Sequence, residues 1–374
     1  MTTYPRIHLT EEVLREGMQI ESADISVDDK LRLLDALSDT GLTHIVVGSF
    51  VSPKYTPQMR DIDQLVERFE PRDGVRYSSL ILNAKGQERA DAHGDKLSDP
   101  GIGPYTYAHV CDTFTRRNVN QSQADEIAAW PMQVKEAVAS GVETAGIGAN
   151  AVFGSNFEGE FSLDETYALL EQQHALWSDE GVHIDTVWLG DPMSFCAPHR
   201  VAELVREVRR RWPTITQYYL HLHDARGLAL ASTYAAVEAL SGDGTGELDV
   251  HFDTTLGGIG GCPYCGNGRA TGMAATEDVV NMLDGMGIET GVDLPKLIEA
   301  VWLLEEILGR PTPGHVAKAG PTPRASGHYD SDLPFVETHE QALHFAKGPD
   351  VLDGAVKPWK APIPSPFEPG GNRA

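Results

Sequence analysis

Two imidazoles one residue apart, in His221-Leu222-His223-Asp224, are the plainest pointer to chemistry in this chain. Successive side chains on a β-strand alternate faces, so His221 and His223 project from one side and can share a divalent ion. A core histidine beside a surface histidine is the competing reading of the pair alone. A second cluster, Arg15-Glu16-Gly17-Met18-Gln19, sets a guanidinium beside a carboxylate. The first can hold an anionic oxygen while the second takes a metal, with a loop salt bridge as the plain alternative. A third stretch, 256–272, is glycine-rich and carries Cys262 and Cys265. Its backbone can approach a ligand closely, and a thiol on such a loop can act as an acid that closes over a site. Cys262-Pro-Tyr-Cys265 also has redox-dithiol spacing, but such motifs open a helix near the start of a small domain. No second ligand pair stands nearby to make a zinc knuckle. Gly146-Ile-Gly148-Ala-Asn-Ala151 fits the loosest dinucleotide fingerprint, but no acidic residue at the proper distance completes it. Arg209-Arg210-Arg211 reads as a solvated helix face.

These groups need a scaffold, and the periodicity supplies one. Short apolar or β-branched runs occur at 7–9, 44–48, 77–82, 107–111, 144–148, 186–190, 219–223 and 248–253. They alternate with helical segments at 26–40, 58–69, 122–140, 163–180, 199–212, 228–240 and 276–286. Ser26 is a suitable N-cap for the first, with Leu31, Leu34 and Leu37 as its apolar face. Eight such alternations predict a TIM (β/α)8 barrel, which places active-site groups at strand C-termini; a doubly wound sheet is the competing α/β fold. The barrel is expected over 1–310. A Pro-rich C-terminal extension, ending near Pro358–Pro366, is expected over 311–374.

The chain has 374 residues, with 30 Lys+Arg against 55 Asp+Glu and a net charge of −25. That charge argues against nucleic acid or an anionic membrane as partner, though not against a small anionic substrate held by a few local cations. No run of about 18 apolar residues is present to span a membrane. The first residues show no signal peptide, and four cysteines are too few for a disulfide scaffold, so a cytoplasmic protein is expected.

Over about residues 6–300 the chain resembles the 3-hydroxy-3-methylglutaryl-CoA lyase family of metal-dependent barrel lyases, aldolases and synthases. The resemblance rests on Ser49-Phe-Val-Ser-Pro-Lys54-Tyr-Thr-Pro-Gln58-Met, Phe114-Thr-Arg-Arg-Asn118-Val-Asn120, Phe157-Glu-Gly159-Glu-Phe-Ser162, His221-Leu-His223-Asp224 and Gly258-Ile-Gly-Gly-Cys262-Pro-Tyr264. Thr276-Glu-Asp278 and the segment 285–292 continue it. It implies carbon–carbon cleavage of a 3-hydroxyacyl-CoA to an acyl-CoA and a keto product, with a divalent cation, Mg²⁺ or Mn²⁺ before Zn²⁺ or Co²⁺. It implies Arg15, Cys262 and Asp191 as catalytic residues, and Glu16, His221, His223 and Asn267 as metal ligands. Gln19, Ser49, Lys54, Arg116 and Asn118 become substrate contacts, and a homodimer is expected by analogy. The departures are specific. Glu16 stands where the family has aspartate, Val46 replaces an acidic residue, and the position of a ligating asparagine aligns with Thr271 or Met273. An aldolase or Claisen-type synthase acting on a 2-oxo acid, or a silent ligand-binding barrel, are the alternative expectations.

Overall fold

The computed structural model describes residues 3–98, 103–242, 244–267 and 272–323. The chain runs through eight parallel strands: β1 (Arg6–Glu11), β2 (His44–Ser49), β3 (Arg76–Leu80), β4 (Tyr105–His109), β5 (Thr144–Asn150), β6 (His183–Asp191), β7 (Gln217–Leu222) and β8 (Asp249–Thr254). They form one curled sheet in the order β3-β2-β1-β8-β7-β6-β5-β4, the TIM-barrel arrangement anticipated from periodicity. First and last strands pair from Arg6↔Asp249 to Glu11↔Thr254. Each expected strand exists, with ends displaced by at most three residues.

The helices named below are α1 (Val27–Ser38), α2 (Ile62–Arg68), α3 (Ala84–Asp91), α4 (Asp112–Val119) and α5 (Gln123–Ala139), followed by α6 (Leu163–Asp179), α7 (Pro198–Arg211) and α8 (Ala229–Ala239). After β8 come α9 (Thr276–Met286), α10 (Leu294–Leu308) and the short α11 (Val316–Ala319). Ser26 caps α1 by accepting from the Asp29 amide at 3.0 Å. The buried stripe of α1 is Lys30, Leu33, Leu34 and Leu37, so Leu31 lies at its edge rather than its centre. Both α5 and α6 begin with complete capping boxes, Ser122/Asp125 and Ser162/Glu165.

No ladder joins β3 to β4 among the described residues; the Ser98 amide bonds to Tyr77 O at 2.7 Å beside this seam. Side chains of α5 take up the free edge of β4. Trp130 Nε1 donates to Tyr107 O (2.9 Å), Glu126 Oε2 accepts from the His109 amide (2.9 Å), and Gln123 Nε2 donates to His109 O (2.7 Å). Each such bond contributes about 1 kcal/mol net, and leaving the buried groups unpaired would cost more. The glycines at 146 and 148 have a packing reason. A Cβ at Gly148 would lie 2.9 Å from Tyr107 Cδ2 and 3.3 Å from Trp188 Cβ, and one at Gly146 would lie 3.2 Å from Tyr105 Cβ and 3.3 Å from Thr186 Cβ, so both glycines make room for side chains of the neighbouring strands. That accounts for the fingerprint-like spacing without a nucleotide.

The first residues of the expected extension pack against the barrel. The Gly314 amide donates to Gly257 O at 2.9 Å, and Asp278 accepts from the amides of His315 and Val316. Residues 324–374, including the Pro358–Pro366 stretch, lie outside the described residues. Among the described residues, no helix is long and apolar enough to cross a membrane.

Candidate active site and metal centre

The chain leaves β1 through a five-residue π-helical turn, Val13–Gly17, closed by bonds from the Arg15 amide (3.0 Å) and the Gly17 amide (3.1 Å) to Glu12 O. This turn lifts Arg15 and Glu16 over the C-terminal mouth of the barrel. The glycine loop after β8 presses against it, because a Cβ at Gly260 would sit 2.8 Å from Glu16 O and one at Gly17 would sit 3.2 Å from Ile259. Gly260 also has a φ of +110°, a region that disfavours other residues. Glycine on both sides therefore lets the arginine-carboxylate turn and the cysteine loop touch.

Glu16, His221 and His223 converge, all buried, each offering a ligand atom within 4.8 Å of the others. His221 Nε2 and His223 Nε2 face each other at 3.0 Å, and Glu16 Oε1 lies 3.7 Å from His223 Nε2. Asp253, at the end of β8, accepts from His221 Nδ1 at 2.8 Å, which leaves the Nε2 lone pair aimed at the cluster. This donor set, two imidazole nitrogens and a carboxylate oxygen, suits a divalent cation. Burial, then the neighbouring His221, pushes His223 down to about 3, so it is a neutral donor. Burial opposes ionisation of Glu16, but Arg15 and the two histidines outweigh it and hold its carboxyl below the ordinary range.

Arg15 is clamped. Its Nε lies 2.6 Å from Glu12 Oε2, and its Nη1 bonds to Glu16 Oε2. Asp191 ends β6 fully buried. Burial pushes it up to about 6, against the opposing amides of Phe195, Cys196 and Met193. A carboxyl at that value can exchange a proton near neutrality. Cys262 is half-buried on the loop, while Cys111, Cys196 and Cys265 are buried.

The other expected residues are engaged elsewhere. Asn267 Oδ1 accepts from Asn156 Nδ2 (2.6 Å) and its amide donates to Pro192 O (3.2 Å), so it joins the loop to the strand ends. Thr271 lies outside the described residues, and Met273 forms a β-bridge with His223. Gln19 Nε2 reaches Gly261 O at 3.4 Å, and Ser49 Oγ donates to Leu80 O at 3.2 Å. Lys54 is exposed above the Tyr55 ring, Arg116 pairs with Asp112 at 2.7 Å, and Asn118 Nδ2 lies 3.3 Å from His109 Nε2. Arg117 ties the mouth together, donating to Tyr264 O at 3.2 Å while its guanidinium lies 5.0 Å from the Phe157 ring centre.

Glu12 and Asp253 escaped the sequence reading. Alternate residues 249, 251 and 253 are polar, and that pattern within a strand of a closed sheet marks an inward polar stripe. A separate cavity of about 480 Å³ opens at the N-terminal ends of the strands, lined by Arg76, Gln217, Asp249 and His251 among others. It lies at the barrel end that serves stability rather than chemistry.

An HMGL-like family model matches residues 6–303. The hydroxymethylglutaryl-CoA lyase YngG of Bacillus subtilis is 32% identical over 311 residues, 83% of this chain and 96% of that protein. The mitochondrial hydroxymethylglutaryl-CoA lyase of Homo sapiens is 32% identical over 320 residues, covering 85% and 91%. Among solved structures, an HMG-CoA lyase from Acinetobacter baumannii in complex with coenzyme A and 3-methylmalate superposes with a TM-score of 0.69. It has 30% identity and covers 86% of this chain and 97% of its own.

Proposed function

The chain belongs to the HMGL-like family and is a carbon–carbon lyase, and from that premise we propose that it cleaves a 3-hydroxy-3-methylglutaryl-CoA-like 3-hydroxyacyl-CoA with the help of a divalent cation. The observation that carries this reading is the buried Glu16/His221/His223 cluster beside Arg15 and beneath the Cys262 loop. Glu16, His221 and His223 would hold the cation, Mg²⁺ or Mn²⁺ by the oxygen-rich chemistry of the substrate. When bound, the cation would polarise the hydroxyl and carbonyl oxygens and offset negative charge.

The chain's own residues divide the remaining work. Asp191 takes the proton of the 3-hydroxyl. The resulting alkoxide collapses to the keto product as the C2–C3 electron pair moves into the thioester to form an enolate. Arg15 faces the developing enolate charge, and Cys262 returns a proton to C2, releasing an acyl-CoA. Lys54, Arg116 and Asn118 at the mouth are proposed contacts for the CoA portion, with Gln19 and Ser49 supporting the substrate pocket. Asn267 is proposed to reach the cation only if its bond to Asn156 is released.

The test is incubation of metal-reconstituted protein with a panel of 3-hydroxyacyl-CoAs and 2-oxo acids, with and without chelator, followed by mass spectrometry. Chelator-sensitive release of acetyl-CoA or a longer acyl-CoA is expected. Cleavage of free acids alone would overturn the proposal in favour of a 2-oxo-acid aldolase.

A further inference from the structure

The groups that touch Arg15 point to a residue that the proposed chemistry does not use directly. Glu12 follows β1, and its amide continues the ladder by donating to Thr254 O at 2.8 Å. Strand alternation therefore turns its side chain inward, in step with Thr10, whose Oγ1 meets His44 inside the barrel. There Glu12 is 7% exposed and Arg15 15% exposed at the side chain, and the carboxylate holds the Nε edge of the guanidinium at 2.6 Å. The other edge, Nη1, is on Glu16. Glu16 thus has two competing claims, one from Arg15 and one from a cation in the cluster.

We propose that Glu12 is the positioning residue that shares the guanidinium of Arg15 with Glu16, so that Arg15 engages only Glu16 Oε2, Glu16 Oε1 beside His223 remains available to a divalent cation, and Arg15 keeps a fixed plane toward the substrate. The inference rests on the cation-dependent reading above. The formal charges agree with it. Buried Glu12 and Glu16 and the part-buried Asp253, against the single guanidinium of Arg15, leave two negative charges, the complement of one divalent cation. Without Glu12 the guanidinium is left with Glu16 as its remaining ion-pair partner and competes with the cation for it. The contact is also geometrically constrained: Glu12 and Arg15 are three residues apart in a turn whose amides both close on Glu12 O.

The experiment is a double-mutant cycle read by calorimetric titration with Mn²⁺, using wild type, Glu12→Gln, Arg15→Met and the double variant. Removing a residue that orients a ligand typically weakens metal binding about 10–100-fold, and that loss is expected for Glu12→Gln. In the Arg15→Met background the same substitution is expected to cost roughly threefold or less, because the competitor is gone. Glu12→Asp, which keeps the charge but shortens the reach, is expected to bind Mn²⁺ more weakly than wild type. Equal losses in both backgrounds, or wild-type affinity in Glu12→Asp, would overturn the inference alone. A wild-type protein that takes up no Mn²⁺ overturns the cation reading and this inference with it.

Discussion

Cys262 is the half-buried thiol of the four, on the loop that touches the Arg15–Glu16 turn, and it is the group proposed above to deliver a proton. Cys262→Ser is expected to lower kcat by about 10²–10⁴, the usual range for a lost general acid, with a smaller change in KM. In native protein an alkylating reagent should label Cys262 ahead of the other three; peptide mapping reads this directly, and equal labelling would remove the premise. Cys265 is a different kind of thiol. Burial, then the neighbouring Cys262, pushes its pKa far up, so it stays protonated beside its partner. The residues most legible in the sequence were those whose spacing is local. His221 and His223 share a strand face and Arg15 and Glu16 adjoin, so their chemistry needs no tertiary knowledge. Glu12 was hidden because its role depends on which face of β1 turns inward, and Asp253 because it reaches His221 across the β7–β8 ladder.

The segments around β8 and α9 carry a stability device of their own. Glu277, in the first turn of α9, is wholly buried, and its Oε2 accepts from the Gly257 amide at 3.0 Å. Burial, then the charge of Asp278, pushes its carboxyl up to about 8. A carboxyl raised above its unfolded value of 4.5 adds stability that is complete below that value and is lost as pH rises through about 8. Folding stability should therefore decline between pH 5 and 9. Glu277→Gln should flatten that decline and raise stability at pH 9 by about 1–3 kcal/mol, relative to wild type, in denaturant titrations. An unchanged slope would show that Glu277 is ionised in the fold. The helix at 276–286 was readable from local periodicity, but this pairing was not, since Gly257 and Glu277 belong to different segments and meet only once the barrel has formed.

For the molecule as a whole, the sequence suggested a barrel over 1–310 with a Pro-rich extension over 311–374, and in the described residues the first part of that extension bonds to the barrel rim. Thr312 packs where a Cβ on Gly257 would lie 2.7 Å away, the Gly314 amide bonds to Gly257 O, and Asp278 holds the amides of His315 and Val316. Proline-rich composition marks a break in periodicity, but composition carries no information on which barrel groups the segment 312–316 meets. A chain ending after Arg310 is expected to lose a few kcal/mol of stability, with each lost buried bond worth about 1 kcal/mol or more. A chain ending after Pro323 retains these contacts and should unfold at a higher temperature than the one ending after Arg310. Thermal denaturation of the pair measures the difference, and equal midpoints would mean the segment adds nothing.

The seam between β3 and β4 has a consequence for the order in which the protein can be made. Among the described residues, and apart from the Ser98–Tyr77 bond, β1, β2 and β3 connect to the rest of the sheet through the ladder between β1 and β8, whose partners are separated by more than 240 residues of chain. On the ribosome, the β3-β2-β1 unit must wait until almost the whole barrel has been synthesised before β1 gains its pairing with β8. Closing so long a loop is slow and costs chain entropy. The nascent β1–β3 segment is therefore the part that spends longest with an exposed strand edge, where chaperones and proteases will meet it first.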